Sequence, residues 1–214
     1  MSDKRKIVLA SRNPGKVREI QAILGQAGVK VIGLDAIDPH RTIPEPPEAA
    51  ETFARNARAK ATYYAGATRT WALADDSGLE VDALGGAPGT RSARYAAEQC
   101  RPGAGRDEID AANNRKLLRE LEGVGEEHRG ARFVCHLAMS DGRSILLEAS
   151  GVVQGRIARR PAGSNGFGYD PLFFLPELGC TTAELPPERK NQISHRGRAT
   201  REFARRLAEL LKRQ

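Results

Sequence analysis

The stretch Ile7-Val8-Leu9-Ala10-Ser11-Arg12-Asn13-Pro14-Gly15-Lys16 changes character in its middle. Ile7 to Ala10 is an apolar run of strand length. Asn13-Pro14 then marks a helix start, because asparagine caps a first turn and proline tolerates the first helical position. Beyond it, Val17, Ile20 and Leu24 fall on one face of an amphipathic helix. A strand feeding directly into a helix is the elementary unit of an α/β fold. The junction also gathers backbone N–H groups at the positive end of a helix, and Lys16 adds a full charge. Ser11, Arg12, Asn13, Pro14, Gly15 and Lys16 therefore suit a phosphate. The glycine spacing and the Lys-Ser/Thr ending of a Walker A loop are absent. A capped helix start with an exposed lysine reads the same residues equally well.

Outward from this unit, residues 29–32 form a second strand-like run, and residues 35–50 a loop rich in proline and acids that carries Glu45 and Glu48. A helix is expected over 51–65, with Phe53, Ala57, Ala61 and Tyr64 on one stripe. Asn56 and Lys60 share a neighbouring stripe and can project toward one place. Trp71-Ala72-Leu73-Ala74 is a third strand, expected to end at Asp75-Asp76-Ser77-Gly78. Loops dominate 84–106, a helix follows over 109–121, and strands over 132–139 and 144–153 flank the hairpin signal Asp141-Gly142. Residues 163–169 make a glycine-rich loop, 172–174 a short strand, and a last helix starts near Thr200, burying Phe203, Leu207 and Leu210. Interleaved strands and helices indicate an α/β architecture, and the hairpin indicates a mixed sheet. With no repeat and no linker, residues 1–214 read as a single domain, long enough to bury a core without disulfides.

Composition narrows the class. Hydrophobic residues are 40% and charged residues 29% of the chain, and no apolar run approaches the roughly 20 residues of a membrane span. Met1-Ser2-Asp3-Lys4-Arg5-Lys6 shows no secretory core, which makes a cytoplasmic location the expectation. Cys100, Cys135 and Cys180 are odd in number and lack metal-ligand spacing, and Cys135 sits in an apolar run as a small core residue. A net charge of +7 favours anionic partners. Arginines such as Arg205 and Arg206, however, fall on surface-like helix faces.

Three further clusters carry chemistry. Asp75-Asp76 places two carboxylates at the end of a buried strand, an expensive arrangement unless something positive compensates it. Mg²⁺ takes one or two carboxylates plus phosphate oxygens, and neighbouring strand residues face opposite ways, so one aspartate reaches a given site. Glu48, and less directly Glu45, offers a second ligand; a polar turn is the plainer account of Asp-Ser-Gly. In Gly163-Ser164-Asn165-Gly166-Phe167-Gly168-Tyr169-Asp170-Pro171, the glycines allow close approach to a flat ligand. Phe167 offers a stacking face worth roughly 1–3 kcal/mol on nucleic-acid binders; a tight loop whose aromatics fill core is the alternative. Lys190, His195 and Arg196 make a donor cluster for phosphate or base edges, or simply a basic run before the last helix.

Taken in order, these blocks resemble the inosine triphosphate pyrophosphatase family, also called Ham1-like. The resemblance is carried by Leu9 to Lys16, by Glu51-Thr52-Phe53-Ala54-Arg55-Asn56-Ala57 with Lys60, and by the long run from Ala74 to Gly89 with Ser92-Ala93-Arg94-Tyr95. Gly166 to Pro171 and Ile193-Ser194-His195-Arg196 complete it, so that it covers about residues 7–204. It implies a two-lobed α/β fold with an elongated mixed sheet, flanking helices and an active-site cleft between the lobes. It also implies a homodimer, Mg²⁺ dependence and cleavage between the α- and β-phosphates of inosine, deoxyinosine or xanthosine triphosphate. By matched position, Asp76 would be metal ligand and general base, with Glu48 helping to hold the metal. Residues 11–16, with Lys60 and Ser77, would hold the triphosphate. Phe167, Gly168, Tyr169, Asp170, Lys190, His195 and Arg196 would hold base and nucleotide body.

Two other readings compete. A Maf-like pyrophosphatase shares the general fold, but Asn13-Pro14-Gly15-Lys16 stands where its basic opening would be. A nucleic-acid-binding module fits the charge, yet aromatic residues are only 5% and no helix-turn-helix or zinc-finger pattern occurs.

Overall fold

The computed structural model describes residues 6–212; Met1 to Arg5, on which the expectation of no secretory core rests, lie outside the described residues. In chain order the elements are β1 (Ile7–Leu9), α1 (Pro14–Gln26), β2 (Val31–Gly33), α2 (Leu34–Ile37), α3 (Phe53–Thr68), β3 (Trp71–Val81) and α4 (Arg106–Glu120). They continue with β4 (Gly130–Ser140), β5 (Ile145–Ile157), β6 (Phe173–Leu175), β7 (Cys180–Thr181), α5 (Pro187–Ile193) and α6 (His195–Lys212). The strands form one sheet of 7 in the order β2-β1-β3-β4-β5-β6-β7. β1 lies parallel to β2 and β3, whereas β6 lies antiparallel to β5 and β7. The sheet is mixed, as the interleaved helices and the single hairpin predicted. Residues join two compact units: 1–76, 135–151 and 195–214 in the first, 77–134 and 152–194 in the second.

The first unit shows how a period of two builds a layered core. Ile7 and Leu9 face Ile20 and Leu24 of α1 and Phe203 and Leu207 of α6. The intervening Val8, with Ala10, faces Ala57, Ala61 and Tyr64 of α3. Both faces of the strand are therefore covered by helices, which is why this run reads as continuously apolar. The α3 face is lined by alanines (Ala72, Ala74 and Ala138), so the helix packs close to the sheet. Gly151 of β5 has the same use, since a Cβ there would meet the carbonyl of His195 at 2.2 Å. The second unit has its own core, in which Leu117 and Leu121 pack with Leu79, Val81, Phe133, Phe173 and Tyr169.

Several expectations about elements need correction. β3 does not stop at Asp75 but runs on to Val81. Beyond the Asp-Ser-Gly signal, Leu79 and Val81 resume the apolar alternation and are buried in the second core, and that packing overrides a local turn preference. The acidic loop opens with the one-turn helix α2. The stretch 84–106, expected to be mostly loop, carries two short 3-10 helices, Gly89–Arg94 and Ala97–Gln99, after one that ends at Leu84. The basic run before the last helix is itself helical: α5 starts on Pro187, and α6 begins at His195, ahead of Thr200. Proline at a first helical position lacks only a hydrogen that would have had no partner there. Leu210 is only partly buried, while Phe203 and Leu207 are core.

Arg129 was not singled out by sequence. Its side chain is buried and donates to the carbonyls of Leu121 at 2.8 Å, Ile157 at 2.8 Å and Ala158 at 3.2 Å. Burial lowers its pKa, and the fork of donors stitches helix end to strand end. Replacing Arg129 by leucine strands buried carbonyls and should lower unfolding stability by about 3 kcal/mol in urea titration. Lysine at the same position, a single point donor, should recover only part of the loss.

Candidate active site

Asn13 does what its position predicted. Its Oδ1 accepts the N–H groups of Gly15 at 2.9 Å and Lys16 at 3.2 Å, and Pro14 occupies the first position of α1. Ser11 closes the loop by accepting the Asn13 N–H at 3.2 Å. Arg12 turns away toward the acidic loop, pairing with Asp35 and Asp38 at 2.5 Å each. Asp38 also accepts from the Thr42 N–H and hydroxyl and from the Ile43 N–H. Burial pushes its carboxyl up, but these donors together hold it well below the usual range. Sequence reasoning saw only an acid-rich loop here. Glu45 lies near Arg12 at 4.0 Å and is largely exposed.

Asp75 and Asp76 face opposite ways. Asp75 is wholly buried; one oxygen pairs with Lys16 and the other accepts from Arg196 Nε at 3.0 Å and the Cys135 thiol at 3.1 Å. Arg196 extends the chain to Glu19 of α1 at 2.5 Å. Desolvation raises the Asp75 pKa, but Lys16 and Arg196 overcome it and hold the group ionised well below its ordinary value. Burial and the neighbouring Asp75 push the Cys135 thiol well up, so it stays protonated as a donor. Cys135 is thus a core residue with one polar duty.

Asp76 has different company. Its Oδ1 lies 3.3 Å from Lys60 Nζ, while its Oδ2 is buried and has no hydrogen-bond partner. Burial raises its pKa, and Lys60 and Lys16 only partly offset that. Lys60 also pairs with Glu48 and donates to the Asp75 carbonyl at 3.3 Å. Burial pulls the Lys60 ammonium down, but Asp76 and Glu48 more than restore it. One turn earlier on α3, Asn56 accepts the Ala50 N–H at 3.0 Å and donates to the Ala50 carbonyl at 3.2 Å. Asn56 and Lys60 therefore act on one loop, the first on its backbone and the second on Glu48. Among the described residues no group of three or more His, Cys, Asp or Glu can hold a metal ion by itself. The unpartnered Asp76 oxygen and Glu48 fit a hard cation that completes its shell from phosphate and water, as Mg²⁺ does.

The glycine-rich loop belongs to the second unit. Asp170 is buried and saturated: it accepts from the Phe167 N–H at 2.7 Å, the Thr182 hydroxyl at 2.9 Å and Lys190 at 2.5 Å. Lys190 also lies 4.9 Å from the centre of the Phe167 ring. Gly166 has φ +81°, and a Cβ there would run into the Asp170 carboxylate. Phe167 is partly exposed; Tyr169 is core, its hydroxyl donating to the Ser92 carbonyl at 2.9 Å. Ser77 sits half-buried on β3 in this unit. The expected donor cluster divides: Lys190 braces Asp170 in the second unit. His195 and Arg196 are buried in the first turn of α6 in the first unit, where Arg196 serves Asp75.

Asp75→Asn leaves Lys16 and Arg196 buried without their shared counter-charge, and should cost about 3–5 kcal/mol at neutral pH in urea unfolding. The depressed Asp75 pKa fixes the sign of the pH effect. Its stabilisation is fully present above the ordinary value of 3.8 and is lost as pH falls below it. The gap between the variant and the parent protein should therefore narrow only below that pH.

Comparisons with known proteins place nearly the whole chain among relatives. A family model described as the Ham1 family matches residues 7–206. A dITP/XTP pyrophosphatase of Geobacillus kaustophilus is 50% identical over 200 residues, covering 91% of this chain and 90% of the relative. One of Listeria monocytogenes is 47% identical over 206 residues, covering 96% of each. Among solved structures, a HAM1 protein from Coxiella burnetii superposes with a TM-score of 0.81 at 40% identity, covering 96% of this chain and 99% of that one. The chain belongs to the Ham1 family.

Proposed function

We propose that the protein hydrolyses non-standard purine nucleoside triphosphates (deoxyinosine, inosine and xanthosine triphosphates) to the monophosphate and pyrophosphate, with Mg²⁺. The observation that carries the reading is the Asp76 carboxylate, buried beside Lys60 and Glu48 with one oxygen unpartnered, in a chain whose relatives are dITP/XTP pyrophosphatases.

The triphosphate is neutralised by Lys16 and Lys60 beside the positive end of α1, whose first N–H groups are taken by the Asn13 cap. Each ammonium has three donors, so Lys16 keeps Asp75 and still offers hydrogens to phosphate oxygens. Arg12 and Arg196 are committed to carboxylates and act as braces for the phosphate loop and for Asp75. Asp76 and Glu48 would hold Mg²⁺, which when bound would supply charge neutralisation for phosphate and lower the pKa of water. Asp76, its pKa raised by burial, accepts the proton of the attacking water. Ser77 lines the phosphate end. Phe167 stacks on the purine, Lys190 and His195 present donors to a 6-oxo group, and Gly168, Tyr169 and Asp170, whose own polar groups are engaged, shape the loop. Adenine, with a 6-amino group, leaves such donors unpaired, which penalises it. Action of residues 1–214 as one domain, homodimerisation and a cytoplasmic role in cleaning the nucleotide pool belong to the same proposal and rest on the family resemblance.

Pyrophosphate release measured with dITP, XTP, ATP and GTP tests it. Mg²⁺-dependent release from the first two, abolished by EDTA and reduced about 10²–10⁴-fold in Asp76→Asn, is expected. Equal rates on ATP and GTP, or an undiminished Asp76→Asn enzyme, would overturn it. The raised Asp76 pKa also sets a sign: without metal its carboxyl should titrate above 3.8, and added Mg²⁺ should pull that titration down, as followed by carboxyl-carbon NMR.

A further inference from the structure

The backbone of Gly168 is gripped on both sides by one helix. Its N–H donates to Asp110 Oδ2 at 2.9 Å, and its carbonyl accepts from Asn114 Nδ2 at 3.0 Å. Asp110 and Asn114 stand one turn apart on α4, so a single helix face supplies both the acceptor and the donor. Gly168 has φ +64°, a backbone state that needs holding, and it directly follows Phe167. Both side chains are kept at some cost. Asn114 Oδ1 is buried with no hydrogen-bond partner, so the carboxamide is held there by the Gly168 contact alone among its possible bonds. Asp110 is buried, with its other oxygen 3.1 Å from Arg106 Nε in an ion pair. The residue before Asn114, Asn113, donates to the Ser92 carbonyl that also takes the Tyr169 hydroxyl, fixing the loop one residue beyond Gly168.

We propose that Asp110 and Asn114 are positioning residues for purine recognition: by clamping the Gly168 peptide they set the pose of the Phe167 ring. The inference rests on the reading of Phe167 as the surface on which the base stacks. A clamp on that loop governs how well the base is held, while the carboxylates and lysines of the first unit govern the phosphate chemistry. Loss of the clamp therefore falls on KM and on discrimination between bases more than on kcat.

The experiment compares Asp110→Ala, Asp110→Asn, Asn114→Ala and Phe167→Ala in the full chain, by kcat and KM for dITP and dATP, with thermal melting alongside. Asp110→Asn breaks the Arg106 ion pair, as alanine does, but keeps an acceptor for the Gly168 N–H. Asp110→Ala and Asn114→Ala should raise KM for dITP roughly tenfold and narrow the dITP-to-dATP preference, with kcat within about twofold; Asp110→Asn should largely restore both. A loss in kcat alone, or equal defects in Asp110→Ala and Asp110→Asn, would overturn the clamp while leaving the stacking role of Phe167 intact. If Phe167→Ala itself leaves KM and preference unchanged, the base-stacking reading fails and the inference falls with it. Should Asp110→Ala melt below the assay temperature, Asn114→Ala against the parent decides the matter.

Discussion

Successive residues of a β-strand point to opposite faces, and on β3 this separates two carboxylates that are adjacent in sequence. Asp75 enters a closed polar core, where Lys16, Arg196 and the Cys135 thiol occupy its oxygens. Asp76 emerges on the other side, beside Lys60 and Glu48, with an oxygen left over. The same chemical group is therefore a structural anion at one position and an available ligand or base at the next. Environment decides which, since burial acts on both and only Asp75 has cations enough to overcome it.

The Asp75 hub also organises the first unit. It joins α1 through Lys16, β4 through Cys135 and α6 through Arg196, which turns back to α1 at Glu19. The start of α1 is thus fixed from two directions, by the Asn13 cap and by the Lys16–Asp75 pair. Arg196 braces this arrangement, and Arg12 pairs separately with Asp35 and Asp38. The second unit repeats the pattern with Asp170, whose oxygens hold Phe167, Thr182 and Lys190 in place. Each unit thus has a buried carboxylate engaged at both oxygens, Asp75 or Asp170, and one with an oxygen that makes no hydrogen bond, Asp76 or Asp110.

Much of the fold was legible because its signals are local. The Asn13-Pro14 cap, the apolar stripe of α3 and the Asp141-Gly142 hairpin each specify their element within a few residues. The Asp141 carboxylate indeed accepts the N–H groups of Arg143 and Ser144 in that turn. The continuation of β3 was not legible, since it depends on Leu79 and Val81 finding a second core distant in sequence. The early start of α6 depends in the same way on Gly151, whose missing side chain admits the His195 backbone. Site residues divide along the same line. Asp76, Lys60 and Glu48 were marked by charge and order in the chain, and the structure gathers them around one ammonium. Asp38, Arg129, Asp110 and Asn114 carry no motif, because their partners are backbone groups or residues far along the chain.

The central claim is that Asp75 and Asp76 hold opposite electrostatic positions on one strand. Carboxyl-carbon NMR of the aspartate side chains, assigned sequentially and titrated with and without Mg²⁺ and pyrophosphate, measures this directly. The account predicts that Asp75 stays ionised below pH 3.8 and ignores the ligands, whereas Asp76 titrates above that value and shifts when Mg²⁺ and pyrophosphate are added. An Asp75 resonance that moves with Mg²⁺ while Asp76 stays still, or two groups that titrate together at the ordinary value, would contradict it.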